Sequence, residues 1–471
     1  MSIVKSSEGL RRGGAGLLLC VVGAVAAAGC GATPTGGGAQ PKAATSVPSL
    51  AQAQKQLAGA GKITLHILDQ EGPVSAGGSG AREYTELIAK FEQKYPNVTV
   101  KRETKNIDQL VKTLPLRLSS SDVPDVIESD QGYQTQGRLV KAGLMEPLDE
   151  YAKAWGWLER QTPEQLLGMR VRTDGTHLGD GNLYGIAASQ SLVGLYYNKA
   201  LLAKLGLQPP TSMEEFEASL EKAKAAGIVP IQGGDGDHQA TDWGLLVAAA
   251  MNADAGHVRD TYLGRPSGSF STPEMMAAIK EVQGWGEKGY LASGYRGITS
   301  DVAAARFSKG QGLYFMNGTW WAAGVMDGLK ADGGFMAPPP GPSGDSAMIA
   351  APNQPWEIPA KSKNKLAAAL WIDFITSPEN VGVFLKNGDV PATKFDPAAA
   401  ESAKPLTQDV LKAARQVADS QTQLPFEWAV PSVQTFIYGP GIGLAAGKMT
   451  PEDFAKGADA ALAKDRAKYS S

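Results

Sequence analysis

A chain of 471 residues with 43% hydrophobic and 20% charged side chains carries enough apolar material for well-buried cores in two or three domains. Its 45 basic and 48 acidic side chains nearly cancel, to a net charge of -3, which excludes the concentrated basic face of a nucleic-acid binder. His66, His177, His238 and His257 are scattered, so neither a metal centre nor a cofactor is expected.

The amino terminus has the secretory pattern. Lys5, Arg11 and Arg12 precede a continuous small and apolar run, Ala15 to Ala28, too short for a good membrane span. Ala27-Ala28-Gly29-Cys30 follows and resembles a bacterial lipobox, with Ala27 where Leu is preferred. The two cysteines are Cys20 and Cys30. Cleavage before Cys30 removes Cys20 and leaves a thiol with no partner in the chain, so lipidation explains the count better than a disulfide. Residues 1–29 then read as a lipoprotein signal peptide. Residues 30–61, rich in Gly, Ala, Thr, Pro, Ser and Gln, read as a flexible spacer.

Ordered structure is expected from Lys62. Ile63-Thr64-Leu65-His66-Ile67-Leu68 is a strand ending at Asp69-Gln70-Glu71-Gly72. Tyr84, Leu87, Ile88, Phe91 and Tyr95 share one helical face, and Pro96-Asn97 stops that helix. Val98-Thr99-Val100 is the next strand, Ile107 to Leu118 a second helix, and Pro124 to Glu128 a third strand. This alternation predicts a mostly parallel sheet, whose ligands bind at the carboxyl ends of the strands, here Asp69 to Gly72 and Ser129 to Tyr133. Further on, Leu195-Tyr196-Tyr197 is a strand. Thr211 to Glu214 is a capping box, with Met213, Phe216 and Leu220 facing inward. Thr272-Pro273-Glu274, Ser377-Pro378-Glu379 and Thr450-Pro451-Glu452 each put a capping hydroxyl before a helix-starting proline.

Four stretches, taken in order, resemble the extracellular solute-binding proteins of carbohydrate ABC importers, the maltose-binding-protein-like family. They are Leu87 to Pro96 with Pro124-Asp125-Val126, Leu183-Tyr184-Gly185-Ile186 with Leu195 to Lys199, Gly310 to Trp320, and Ala368 to Glu379. The resemblance implies a periplasmic-binding-protein-like α/β fold, two α/β lobes joined by a multi-crossing hinge. One lobe would hold 62–184 and 335–392, the other 185–334 and 393–471, with crossings near Gly185, Gly333-Gly334 and Pro391. It also implies a monomer on the extracellular face of the cell membrane. That monomer is tethered by its lipid alone, binds a sugar between the lobes and delivers it to permease subunits.

A sugar presents hydroxyls and a flat C–H face, so its site needs planar polar groups and aromatic platforms. Trp320 follows Asn317-Gly318-Thr319, where the family often carries a stacking aromatic; a core role is the alternative, since Trp320 and Trp321 cannot share a helical face. Trp356 and Glu357 sit in a turn-like stretch before the fourth motif and are assigned to the cleft edge. Trp243 and Trp428 complete the aromatic set, and Gln70, Glu71, Asp130, Gln131 and Gln190 the polar one. Paired carboxylates also build glycosidases, but Asp69, Glu71, Asp130 and Glu357 lie in no catalytic motif. A polyamine, which wants carboxylates and aromatics, stays open on residue counts.

Overall fold

The computed structural model of the protein describes residues 46–72, 78–424 and 430–469. Cys20, Cys30 and the whole leader lie outside the described residues.

The expected spacer is partly a helix. α1 (Leu50–Ala58) starts at a capping box in which Ser49 and Gln52 satisfy each other's backbone N–H groups. Its Ala53 and Leu57, four apart on one face, are buried and pack with the core around the helix Lys365–Ile375. Composition suggested flexibility here, but a cap and one apolar stripe docked on a neighbour outweigh it.

β1 (Ile63–Asp69), α2 (Ser79–Lys94), β2 (Val98–Thr104), α3 (Ile107–Ser119) and β3 (Val126–Glu128) follow in the expected order. β1 lies between β2 and β3, parallel to both. The strands Trp356–Glu357 and Gly185–Ile186 extend this first sheet antiparallel. Leu65, Ile67, Leu87, Phe91 and Trp371 form its core and are essentially inaccessible.

A second sheet is built on the long strand Ser189–Asn198, flanked by Met348–Pro352 and Tyr314–Gly318. Both its faces are covered. Val193, Leu195 and Tyr197 enter one core with Phe216, Leu246 and Trp285. Leu192 and Tyr196 enter another with Phe307, Phe335 and Val410. The helix predicted near Thr211 runs Met213–Ala225 and is capped one residue later than expected, by Ser212, while Glu215 accepts from Thr211. Thr272 and Thr450 precede helices that begin with proline; Ser377 precedes a single 3-10 turn.

Three crossings join the two sheets side by side. The chain leaves the first sheet after Ile186, re-enters it between Pro352 and Trp356, and leaves again between Asn387 and Val390. Gln190 pairs with both Pro352 and Val390, so the crossings form one short ribbon. The middle crossing is not at Gly333-Gly334: Gly333–Met336 and Met348–Pro352 both belong to the second sheet. Gly334 serves packing instead, because a Cβ there would lie 2.3 Å from the Tyr197 ring.

Candidate ligand cleft

The carboxyl ends of β1 and β3, the start of α2, and the turn after Tyr314–Gly318 meet beside the hinge. Asp69 closes β1 fully buried. Arg102 of β2 grips it with Nε to Oδ2 at 2.7 Å and Nη2 to Oδ1 at 3.1 Å, and also donates to the Glu71 carbonyl. This fork fixes the path of Gln70 and Glu71. Gln70 is half-buried and its N–H points to Glu128 Oε2. The Glu71 carboxyl lies over the first turn of α2, at a place only glycine allows, since a Cβ on Gly80 would stand 2.3 Å from it. Burial, with Asp69 and Asp389 nearby, pushes that carboxyl up to about 8.

At the end of β3 the backbone turns at Gly132, φ 85°, into a π-helical turn, Tyr133–Gly137. Irregular turns of this kind are common where side chains must be re-aimed. Asp130 is half-buried and accepts from Thr135 Oγ1 at 3.5 Å. Gln131 is 4% exposed, and its amide donates to the carbonyls of Pro352 and Asn353 on the middle crossing. It therefore ties the β3 end to the hinge.

The second sheet brings Trp320 to the start of α2. Trp320 stands in a 3-10 turn, Thr319–Trp321, half-buried against the core of that lobe. Trp243, on the helix Gln239–Asn252, is 5% exposed and packs on Trp320 with centroids 5.9 Å apart. The carbonyl of Trp320 faces Gly78 at the start of α2, 3.9 Å from where a Cβ would be. Ser79 Oγ donates to the carbonyls of Asn387 and Thr319 and accepts from Ala323 N–H. Gln134 Nε2 reaches Gln434 Oε1 at 2.8 Å. The lobes thus touch at the start of α2 and at the π-helical turn.

Three assignments made from sequence need correction. Trp356 is fully buried: its indole N–H donates to Tyr84 Oη at 2.9 Å, and its ring packs edge-on to Tyr84 and Trp371. Glu357 is also fully buried, on the other face of the same strand, where Gln136 Nε2 donates to it at 2.9 Å. The stretch read as a turn is a short strand between two others, and a sheet with helices on both sides buries both faces. Gln190 is the third. Strand alternation sends it to the side of Leu192, where it lines a cavity of about 670 Å³ with Val390, Phe395 and Leu411.

Ser191, which sequence reasoning passed over, takes the opposite side with Val193 and donates to Asn353 Oδ1 at 2.8 Å. Leu192 N–H reaches Thr319 Oγ1 at 3.4 Å, which sets Ser191 next to the Trp320 turn. Asn353 also donates to Ser189 Oγ. Only the parity of the strand separates Ser191 from Gln190, and that parity follows from which face Leu192 buries. Trp428 and its neighbour Phe426 lie outside the described residues. His238, in a left-handed conformation at φ 60°, stacks on Tyr438 at 3.9 Å, near Gln434; nothing local in the sequence joins them. Among the described residues, no group of three or more His, Cys, Asp or Glu is placed to hold a metal ion.

The pattern of the bacterial extracellular solute-binding proteins matches residues 77–382, well over half the chain. The chain belongs to the bacterial extracellular solute-binding protein family. It is 25% identical to the maltodextrin-binding protein of Bacillus subtilis over 351 residues, 70% of this chain and 76% of that protein. It is 22% identical to the multiple sugar-binding protein of Streptococcus mutans over 326 residues, 67% and 71% of the two chains. Among solved structures, a chitin oligosaccharide binding protein superposes with a TM-score of 0.73 at 22% identity, covering 86% of this chain and 99% of that one. The fold of this solute-binding protein is therefore the two-lobed α/β fold, and its task is binding rather than catalysis.

Proposed function

We propose that this solute-binding protein captures a sugar of di- or oligosaccharide size in its interlobe cleft and delivers it to an ABC importer. The observation that supports the reading is the half-buried Trp320, packed on Trp243, in the turn that meets the start of α2 beside the carboxyl ends of the first sheet. An aromatic face covers a sugar's C–H patch, and amides and carboxyls held by the fold exchange hydrogen bonds with its hydroxyls. Gln70, Glu71, Asp130, Gln131, Ser191 and Asn353 are the proposed polar contacts; Trp320, backed by Trp243, is the proposed platform, with Trp428 as a further aromatic. The names of similar proteins support the solute class, since they bind maltodextrin, several sugars or chitin oligosaccharide, and one solved neighbour holds raffinose.

The lobes are proposed to move as units: about 62–186 with 356–387, against 189–352 with 390–469. Cys30 is the proposed lipid anchor, holding a monomer at the outer membrane face. The test is a calorimetric titration with maltodextrins, chitin oligosaccharides and raffinose. Saturable binding of one class, with no shortened product after prolonged incubation, is expected. Binding of none of them, alongside tight binding of a polyamine, overturns the sugar assignment. For the anchor, Cys30→Ala should move the protein from the membrane to the soluble fraction; persistence at the membrane refutes it.

A further inference from the structure

The cavity of about 670 Å³ that Gln190 lines is on the side of the long strand away from Ser191 and Asn353, so it is separate from the cleft. Gln190 and Val390 bring the hinge ribbon to it. The first lobe contributes Gln165 and Leu167, on the short helix Pro163–Leu167. Leu167 is 44% exposed, unusual for a large apolar side chain in this fold. The second lobe contributes Leu411, Ala414, Arg415 and Ala418, which recur at i, i+3, i+4 and i+7 and so share one face of the helix Pro405–Asp419. The two alanines leave room that longer side chains on this face would fill.

The lining is mostly apolar, and its charge has one sign. Arg415 and Arg259, the latter on the helix Ala255–Tyr262, both line the cavity, and among the described residues no Asp or Glu does. Arg259 is half-buried, and its Nε is buried without a partner. Its chain neighbour Asp260 is taken by Arg265 at 2.9 Å and by Ser267. Arg415 is exposed, and its Nε donates to the Leu411 carbonyl of its own helix at 3.3 Å. Neither guanidinium has an ion pair among the described residues, whereas Arg102, Arg160 and Arg170 hold Asp69, Asp373 and Asp149. A guanidinium offers paired N–H donors that match a planar anion, and an unpaired donor out of water costs free energy that such an anion restores.

We propose that this cavity is a second binding site, for a small organic anion with an apolar body. The guanidiniums of Arg259 and Arg415 take the carboxylate or sulfonate head, and the hydrocarbon lies against Leu411, Val390 and Phe395. Small-molecule sites have volumes of about 300–1,000 Å³ and mostly apolar walls with a few polar groups, and this cavity has both properties. Gln165 Oε1 is used by the Thr162 N–H at 2.8 Å, so its amide NH2 is a further donor on the first-lobe side. A sugar, whose hydroxyls need acceptors as well as donors, is poorly served by two guanidiniums, and an amine is repelled by them. The site does not depend on which solute the cleft takes.

The test uses the full chain with Cys20→Ser and Cys30→Ser, so that neither lipid nor detergent competes. Calorimetric titrations compare two anions, octanoate and naphthalene-1-sulfonate, with neutral octan-1-ol and cationic octylamine. Saturable binding of at least one anion is expected, at least about tenfold tighter than either uncharged or cationic probe. Arg259→Gln combined with Arg415→Gln should weaken that anion about tenfold or more, with circular dichroism unchanged. Arg296→Gln, at an exposed position outside the cavity, should bind as before. Ala414→Phe fills the cavity and should abolish binding; Ala418→Trp, at a more exposed position on the same helix face, repeats this where Ala414→Phe disturbs folding. Failure of both anions to saturate overturns the proposal. So does equal binding of octan-1-ol, or unchanged anion affinity in the folded double arginine variant.

Discussion

Two tryptophans show how differently one residue type is packed in the two lobes. Trp356 sits in the first sheet among Tyr84, Trp371 and the Phe91 cluster, with its single N–H satisfied by Tyr84. Trp320 stands just past the end of a second-sheet strand, half-buried, with Trp243 behind it. The first is walled in because a sheet strand with neighbours on both sides and helices above and below leaves no open face. The second keeps part of its ring uncovered because the strand has ended and the turn faces the other lobe. An aromatic stays partly uncovered where regular structure stops, and becomes core where it continues.

The comparison breaks most sharply at Trp356. Trp356→Ala removes a fully buried ring and orphans the Tyr84 hydroxyl, so a loss of about 3–5 kcal/mol is expected by denaturant unfolding. A stability change under about 1 kcal/mol would move Trp356 out of the core, contrary to its burial.

Its strand neighbour gives the next largest effect, through pH. Burial raises the Glu357 carboxyl from 4.5 to about 7. The folded state binds the proton more tightly than the unfolded one. The stabilisation is therefore complete below about pH 4.5 and is lost as pH rises to about 7. Glu357→Gln should remove this dependence and be the more stable form at pH 8, on the order of 2–3 kcal/mol relative to its behaviour at pH 4. Parallel stability curves for the two proteins would show that Glu357 does not titrate in this range.

Trp320→Ala should separate binding from folding. Sugar affinity should fall at least about tenfold, roughly 1.4 kcal/mol or more, while the melting temperature drops by only a few degrees. Unchanged affinity in calorimetry would make Trp320 a packing residue like Trp356. The smallest effect is expected at the rim. Arg82 and Asp327 join the lobes at 2.7 Å, but Asp327 is 54% exposed. A double-mutant cycle should give under about 1 kcal/mol, falling further in high salt.

The sequence by itself determined the local elements and the kind of fold. Apolar periodicity placed β1, α2, β2, α3 and β3, because spacings of two and 3.6 residues report directly on which backbone can bury a face. Strand-end positions drew attention to Gln70, Glu71, Asp130 and Gln131 for the same reason. Other features were decided only by tertiary structure. Whether Gln190 or Ser191 faces Trp320 depends on which side of a doubly covered strand meets which core, and both sides are apolar here. Whether Trp356 and Glu357 lie in a turn or a strand depends on partners about 170 and 230 residues earlier in the chain, as the register with Ile186 and Glu128 shows. Ser79 at the start of α2 bonds to Thr319 and Asn387, more than 200 residues later, a meeting that no local period encodes.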